Sequence, residues 1–181
     1  KRMVVIGAGI VGSEYATIFS NFDQTKVYLV DHKDRIIPFE DEDLSRFIGH
    51  NLEKNGVEIF HSAILRTINH RPEHLEVILD FEDGHSKVVE ADAALISIGR
   101  KPNLDGLNLA SVGIQTDEMG FITVDENCRV KDNIYAAGDV TRHPALVNIA
   151  ETEARYAIKA MYAATKWPLN YSNMSTVMFF K

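Results

Sequence analysis

The chain has 181 residues, with 19 Lys and Arg against 26 Asp and Glu, and a formal net charge of −7; it is long enough for a real core and fits one or two domains. The acidic balance, without any clustered Lys/Arg excess, argues against a nucleic-acid-binding surface, and no apolar stretch approaches the roughly 18 residues that span a bilayer. Cys128 is the single cysteine, which excludes an internal disulfide, a CxxC redox pair and a thiolate metal cage, and the expected compartment is the cytosol.

The first element is the apolar run Val4-Val5-Ile6, which ends in Gly7-Ala8-Gly9-Ile10-Val11-Gly12. A buried strand that runs through GxGxxG into a helix reads as a seat for a pyrophosphate. Gly7 allows the tight turn, Gly9 lets the backbone approach the phosphates, and Gly12 lets helix and strand pack closely. The helix N-terminus, with Ile10 and Val11 in its first turn, supplies amides and partial positive charge. Apolar residues then recur at helical spacing to about Asn21, and Val27-Tyr28-Leu29-Val30 reads as a second buried strand.

That strand ends in Asp31, nineteen residues past Gly12. A carboxylate there suits the hydroxyls of the adenosine ribose and repels a 2′-phosphate, which favours NAD(H) over NADP(H). A solvated strand-end acid is the bland reading of the same residue. His32, also a candidate site residue, Lys33 and Arg35 are close enough in sequence to soften the discrimination. The run Glu40-Asp41-Glu42-Asp43, after Pro38 and before Leu44, Phe47, Ile48 and Leu52, reads as the acidic first turn of a second helix closed by Asn55-Gly56.

Val57–Phe60 is expected to be a third strand, followed by three short ones near 63–69, 75–81 and 87–91, the last two joined by Glu82-Asp83-Gly84, as an antiparallel meander. Ala93–Ile98 reads as a central parallel strand that leads into Gly99-Arg100-Lys101-Pro102-Asn103, where a boundary is expected near residue 103. Beyond it come short helical turns over 104–112, strands at Phe121–Val124 and Ile134–Ala137, and a helix from about Leu146 to Thr165, ended by Trp167-Pro168. The seven histidines show no metal-ligand spacing, so no metal is expected. Both ends read as cut, and the apolar run Val177–Phe180 is expected to pair with another copy, fold back or be poorly ordered.

Taken together, Gly7–Ala16, Asp31, Ser97-Ile98-Gly99-Arg100-Lys101-Pro102-Asn103 and Tyr135-Ala136-Ala137-Gly138-Asp139-Val140 resemble the pyridine nucleotide-disulphide oxidoreductase family of flavoproteins, most closely its dihydrolipoamide dehydrogenases and soluble transhydrogenases. The resemblance implies an α/β fold: a Rossmann-like parallel sheet with the three-strand meander, plus a partial FAD-domain segment. It implies an NAD(P)-binding domain at 1–103, the returning part of an FAD-binding domain at 104–167, and the start of a dimer-interface domain at 168–181. It also implies that Gly7, Gly9 and Gly12 cradle the pyrophosphate and that Asp31 binds the adenine ribose, with Ile10, Val11 and His32 as further cofactor-binding candidates. By the same resemblance Glu14 reaches the nicotinamide end, Gly99 passes the nicotinamide, and Gly138 and Asp139 meet the flavin, Asp139 through the ribityl chain. Composition alone would read Asp139 as a turn residue.

The family's other GxGxxG, its redox-active cysteine pair and its C-terminal His and Glu are not in this sequence, and Arg142–Leu146 leans towards the transhydrogenase type. The expected function is therefore the nicotinamide-dinucleotide-binding portion of an FAD-dependent oxidoreductase that works with the rest of its own chain and a homodimer mate. FAD is expected only in the intact protein, and no catalytic side chain is assigned. The alternatives are a free-standing NAD-binding or interaction module without turnover and an NADP-linked reductase.

Overall fold

A computed structural model describes residues 1–22, 24–162 and 168–180. The chain divides into two compact units, one formed by Lys1–Gly99 with the tail from Met178 on, the other by Arg100–Val177.

The first unit is α/β, in three layers. Strands β1 (Arg2–Ile6), β2 (Lys26–Val30), β3 (Glu58–Phe60) and β7 (Ala93–Ile96) form a parallel sheet in the order β3-β2-β1-β7. Helices α1 (Ile10–Ser20) and α2 (Glu42–Lys54) make the crossovers β1 to β2 and β2 to β3. Strands β4 (Ala63–His70), β5 (Leu75–Phe81) and β6 (Ser86–Ala91) form the antiparallel meander, with a bulge between Leu65 and Thr67.

The alternation of side chains along a strand divides the core. From β1, Val5 packs with Ala16, Leu29, Ile36, Ile48 and Leu52 in the layer shared with the helices. Val4 and Ile6 face the other way and join Val30, Phe60, Val77, Leu79 and Val89 under the meander. Both faces of the sheet are covered at β1, where Val4, Val5 and Ile6 are all buried, which is why β1 carries a continuous apolar run. The strand expected to be central at Ala93–Ile98 is instead the edge strand β7, with Ile96 half exposed.

The acidic run proves to be helix punctuation. The Asp41 carboxylate accepts from the Asp43 N–H at 2.9 Å, Glu42 and Asp43 occupy the first turn of α2 and Lys54 the last. Gly56, at φ +85°, ends the helix in the left-handed conformation that favours glycine.

The tail folds back. Met178 and Phe180 pack against the helix-side core, and the Phe179 N–H donates to the Glu14 carboxylate at 2.8 Å. Residues 177–180 form no strand.

The second unit is built mostly from turns. Its regular elements are a 3-10 turn at Leu109–Val112, the antiparallel pair β8 (Arg129–Lys131) and β9 (Ile134–Tyr135), and α3 (Val147–Tyr162). The strand expected at Phe121–Val124 is reduced to isolated bridges from Ile122 to Thr116 and Thr141. Side chains hold the backbone in turns on either side of this segment. Asp117 accepts from the N–H groups of Met119 and Phe121, each at 2.9 Å, and Asp125 from those of Asn127 at 2.8 Å and Arg129 at 2.9 Å. The strand expected over Ile134–Ala137 is limited to Ile134–Tyr135. Residues 163–165 of the expected helix, and Trp167, lie outside the described residues.

Candidate functional site

In an open parallel sheet, ligands bind beyond the carboxyl ends of the strands where the strand order reverses. Here that point lies between β1 and β7, because the chain moves outward from β1 through β2 and β3 and returns to β7 on the other side. The fingerprint turn at Gly7–Gly12 sits there, and its three glycines do different work. Gly7 adopts φ +98°, and a Cβ on it would lie 2.6 Å from the Ser97 carbonyl oxygen. A Cβ on Gly12 would lie 1.8 Å from the Gly7 carbonyl oxygen. At Gly9 a Cβ would meet nothing within 4 Å. Two glycines are thus demanded by the protein's own backbone, while the third faces open space.

Gly9 is also the N-cap of α1, with no side-chain cap and no acid in the first turn of the helix, which begins with Ile10 and Val11. The positive end of this helix is left for an outside anion to satisfy. Glu14, one turn further along, is partly buried and accepts from the tail.

Asp31 ends β2 and is buried, at 7% exposure. Its Oδ2 accepts from the Ala8 N–H at 2.5 Å and its Oδ1 from the Lys33 N–H at 2.9 Å, with His32 Nδ1 3.2 Å from Oδ1. The carboxylate therefore clasps the fingerprint turn to the end of β2. An ionised carboxylate offers about four lone-pair sites, so acceptor capacity remains for a ligand hydroxyl. Beside it a cleft of about 380 Å³ is lined by Ile6, Val30, Ala63, Leu65 and Ile98 with Asp31 at its polar end. Arg35, a candidate for a 2′-phosphate, donates to the Pro38 carbonyl at 2.7 Å.

Ser97 is a residue whose role the sequence did not disclose. Its hydroxyl lies 2.9 Å from the carbonyl oxygens of both Ile6 and Gly7, so the end of β7 secures the turn from the side opposite Asp31. Two residues on, Gly99 adopts φ +107° with open space at the Cβ position.

The second unit carries the other candidate residues. Gly138 adopts φ +79° and its carbonyl accepts from the Thr141 N–H and Oγ1, both at 2.9 Å, closing a turn around Asp139 and Val140. The half-exposed Asp139 carboxylate pairs with Arg100 Nη1 at 2.7 Å. Behind the turn, the Gly138 N–H donates to Oε2 of the fully buried Glu153 at 2.6 Å. Burial, and then Glu153 as acceptor and charge, push the Tyr171 hydroxyl well above the usual range. Burial and the Glu153 charge likewise push the Cys128 thiol up to about 11. Among the described residues no group of three His, Cys, Asp or Glu could hold a metal ion, and no helix is long and apolar enough to cross a membrane.

Comparison with known proteins agrees with this architecture. Residues 1–154 match the family described as pyridine nucleotide-disulphide oxidoreductase, and the chain belongs to that family. It is 35% identical over 181 residues to a dihydrolipoyl dehydrogenase of Bacillus subtilis (strain 168), covering 99% of this chain and 38% of the relative. It is 37% identical over 170 residues to a soluble pyridine nucleotide transhydrogenase of Stutzerimonas stutzeri (strain A1501), covering 92% of this chain and 35% of the relative. Among solved structures, LpdA from Mycobacterium tuberculosis superposes with a TM-score of 0.89 at 29% identity, over 99% of this chain and 38% of that one. The HOCl-induced flavoprotein disulfide reductase RclA from Escherichia coli gives 0.81 at 29% identity, over 92% and 37%. The chain thus spans little more than a third of the length of these relatives.

Proposed function

We propose that this chain is the nicotinamide-dinucleotide-binding portion of an FAD-dependent oxidoreductase that passes hydride between NAD(H) and flavin. Residues 1–103 form its NAD domain, 104–167 the returning part of its FAD domain, and 168–181 the start of an interface domain through which a cytoplasmic homodimer forms. The observation that carries the reading is Gly9: an uncapped helix N-terminus at the sheet's reversal point, with open space where a side chain would stand.

The nicotinamide and the flavin supply the redox chemistry when bound, and the chain's residues bind and orient. The amides of the α1 N-terminus take the pyrophosphate, and Asp31, with His32 at its edge, takes the ribose hydroxyls beside the apolar cleft. Glu14 and Gly99 lie toward the nicotinamide end, and Asp139 presents its carboxylate to the ribityl hydroxyls of FAD. Asp31 disfavours a 2′-phosphate by charge, and the engagement of Arg35 with Pro38 supports NAD(H) over NADP(H).

The test is a fluorescence titration of NADH and NADPH against wild type and Gly9→Val. Wild type is expected to bind NADH more tightly than NADPH, and Gly9→Val to lose NADH while keeping its thermal midpoint. A folded Gly9→Val that binds NADH like wild type would remove the reading.

A further inference from the structure

We infer that Glu153 is a positioning carboxylate that fixes the Gly138–Asp139 turn and so sets where Asp139 meets the ribityl hydroxyls of FAD, an inference that rests on the reading of Asp139 given above. The inward stripe of α3 is Ile149, Glu153 and Ala157, spaced four residues apart. Between two apolar positions a carboxylate with no exposed surface is unfavourable unless each oxygen is matched by a donor. Here both are matched, and from three different segments. Oε2 accepts from the Gly138 N–H, while Oε1 accepts from the Tyr171 hydroxyl at 2.9 Å and lies 2.6 Å from His143 Nδ1. The imidazole and phenol that hold Oε1 stack on each other with ring centroids 4.1 Å apart.

An apolar residue at 153 would pack in the stripe and leave the Gly138 N–H without its acceptor. That N–H matters because Gly138 stands at φ +79°, where it depends on its hydrogen bonds to keep its orientation. With its carbonyl tied to Thr141 and its N–H tied to Glu153, the peptide planes on both sides of Gly138 are fixed. The position of the Asp139 Cα follows from them. A charge-assisted bond is shorter and stiffer than a neutral one, which suits a residue whose work is to hold a direction. A Cβ on Gly138 would stand 3.3 Å from the Ala150 Cβ, so the turn already rests against α3 one helical turn before Glu153. Cys128, Tyr171 and His143 stand around the carboxylate, Thr141 Oγ1 lies 3.3 Å from His143 Nδ1, and Asp125 lies near enough to act on the Cys128 thiol.

The experiment compares wild type, Asp139→Asn, Glu153→Ala and Glu153→Gln in the full-length protein that carries this chain. The FAD dissociation constant is read by flavin fluorescence on deflavinated protein, and NADH affinity by titration. Glu153→Ala is expected to weaken FAD on the order of tenfold, comparably to Asp139→Asn, with NADH affinity unchanged. Glu153→Gln, whose amide carbonyl still accepts from Gly138, is expected to recover most of the loss while moving the Gly138 amide proton upfield as the charge-assisted bond weakens. Wild-type FAD affinity in Glu153→Ala, alongside a loss in Asp139→Asn, overturns the positioning role and leaves the reading of Asp139 standing. Unchanged affinity in Asp139→Asn overturns that reading and this inference with it. Should Glu153→Ala not fold, Glu153→Gln decides: an unmoved Gly138 amide resonance overturns the inference.

Discussion

Two glycine turns stand at the candidate sites, and they are fixed by opposite means. The Gly7–Gly12 turn is fixed by backbone crowding: the carbonyls of Gly7 and Ser97 fill the volumes where side chains would stand. At Gly138 a Cβ would meet only the Ala150 side chain, at a close 3.3 Å, and the Gly138–Asp139 turn is fixed chiefly by side chains, above all by a buried carboxylate fifteen residues along the chain. A turn of the first kind tolerates almost no substitution at its crowded glycines, here Gly7 and Gly12. One of the second kind is vulnerable at a distance.

The contrast is broken most forcefully at Gly12. Gly12→Ala forces a Cβ to within 1.8 Å of a backbone oxygen, so the first unit is expected to lose about 3 kcal/mol and its NADH binding, as measured by chemical denaturation and titration. Gly9→Ala, three residues earlier, is expected to change stability by no more than about 1 kcal/mol. Equal destabilisation by the two substitutions would mean that the turn is not crowded as described. Next in size is Asp31→Ala, which strips the acceptor from the Ala8 and Lys33 amides and is expected to destabilise the unit by roughly 2 to 3 kcal/mol while weakening NADH. Because this residue both clasps the turn and faces the ribose, Asp31→Asn is the sharper probe. Its carbonyl keeps one clasp, so a loss of NADH affinity larger than its loss of stability isolates the ribose contact, and an unchanged affinity removes Asp31 from the site. Ser97→Ala ranks third at about 1 kcal/mol, because it deletes one hydroxyl and leaves the glycine packing intact.

The same difference governs what could be read from the sequence. The first turn was legible because its constraint is written locally, in glycines at fixed spacing after an apolar strand, with Asp31 one strand further on. The meander and α2 were legible for a similar reason, since strand alternation and the cap at Asp41 are local signals. The second unit resisted because its order is carried by side-chain bonds that periodicity does not register. Asp117 and Asp125 drew backbone donors into turns and left Phe121–Val124 without a ladder, while Asp132, at φ +42°, let Arg129–Lys131 and Ile134–Tyr135 pair instead. Glu153 stands between Glu151 and Arg155 and looks in sequence like any solvated helix acid; only its place on the stripe of Ile149 and Ala157 marks it as buried. Ser97 opens the segment Ser97–Asn103, but its bonds to Ile6 and Gly7 span about ninety residues of chain and have no local signature.

The last test, confined to alkaline pH, asks how closed the side-chain cluster of the second unit is. The folded state holds the Cys128 thiol at about 11 rather than its ordinary 9.0, and raises the Tyr171 hydroxyl as well. Both groups are neutral when protonated, so folding favours the proton-bound forms. Their contribution to stability is fully present below the ordinary thiol value and is lost as pH rises from about 9 to about 11. Denaturation midpoints are therefore expected to be flat from about pH 7 to about pH 8.5 and to fall above it, with Cys128→Ala removing part of the slope and Tyr171 sustaining the rest. The partial flattening is the informative result. If Cys128→Ala leaves the slope unchanged, water reaches the thiol in the folded protein, and the Glu153 cluster behind Gly138 is open where the structure has it closed.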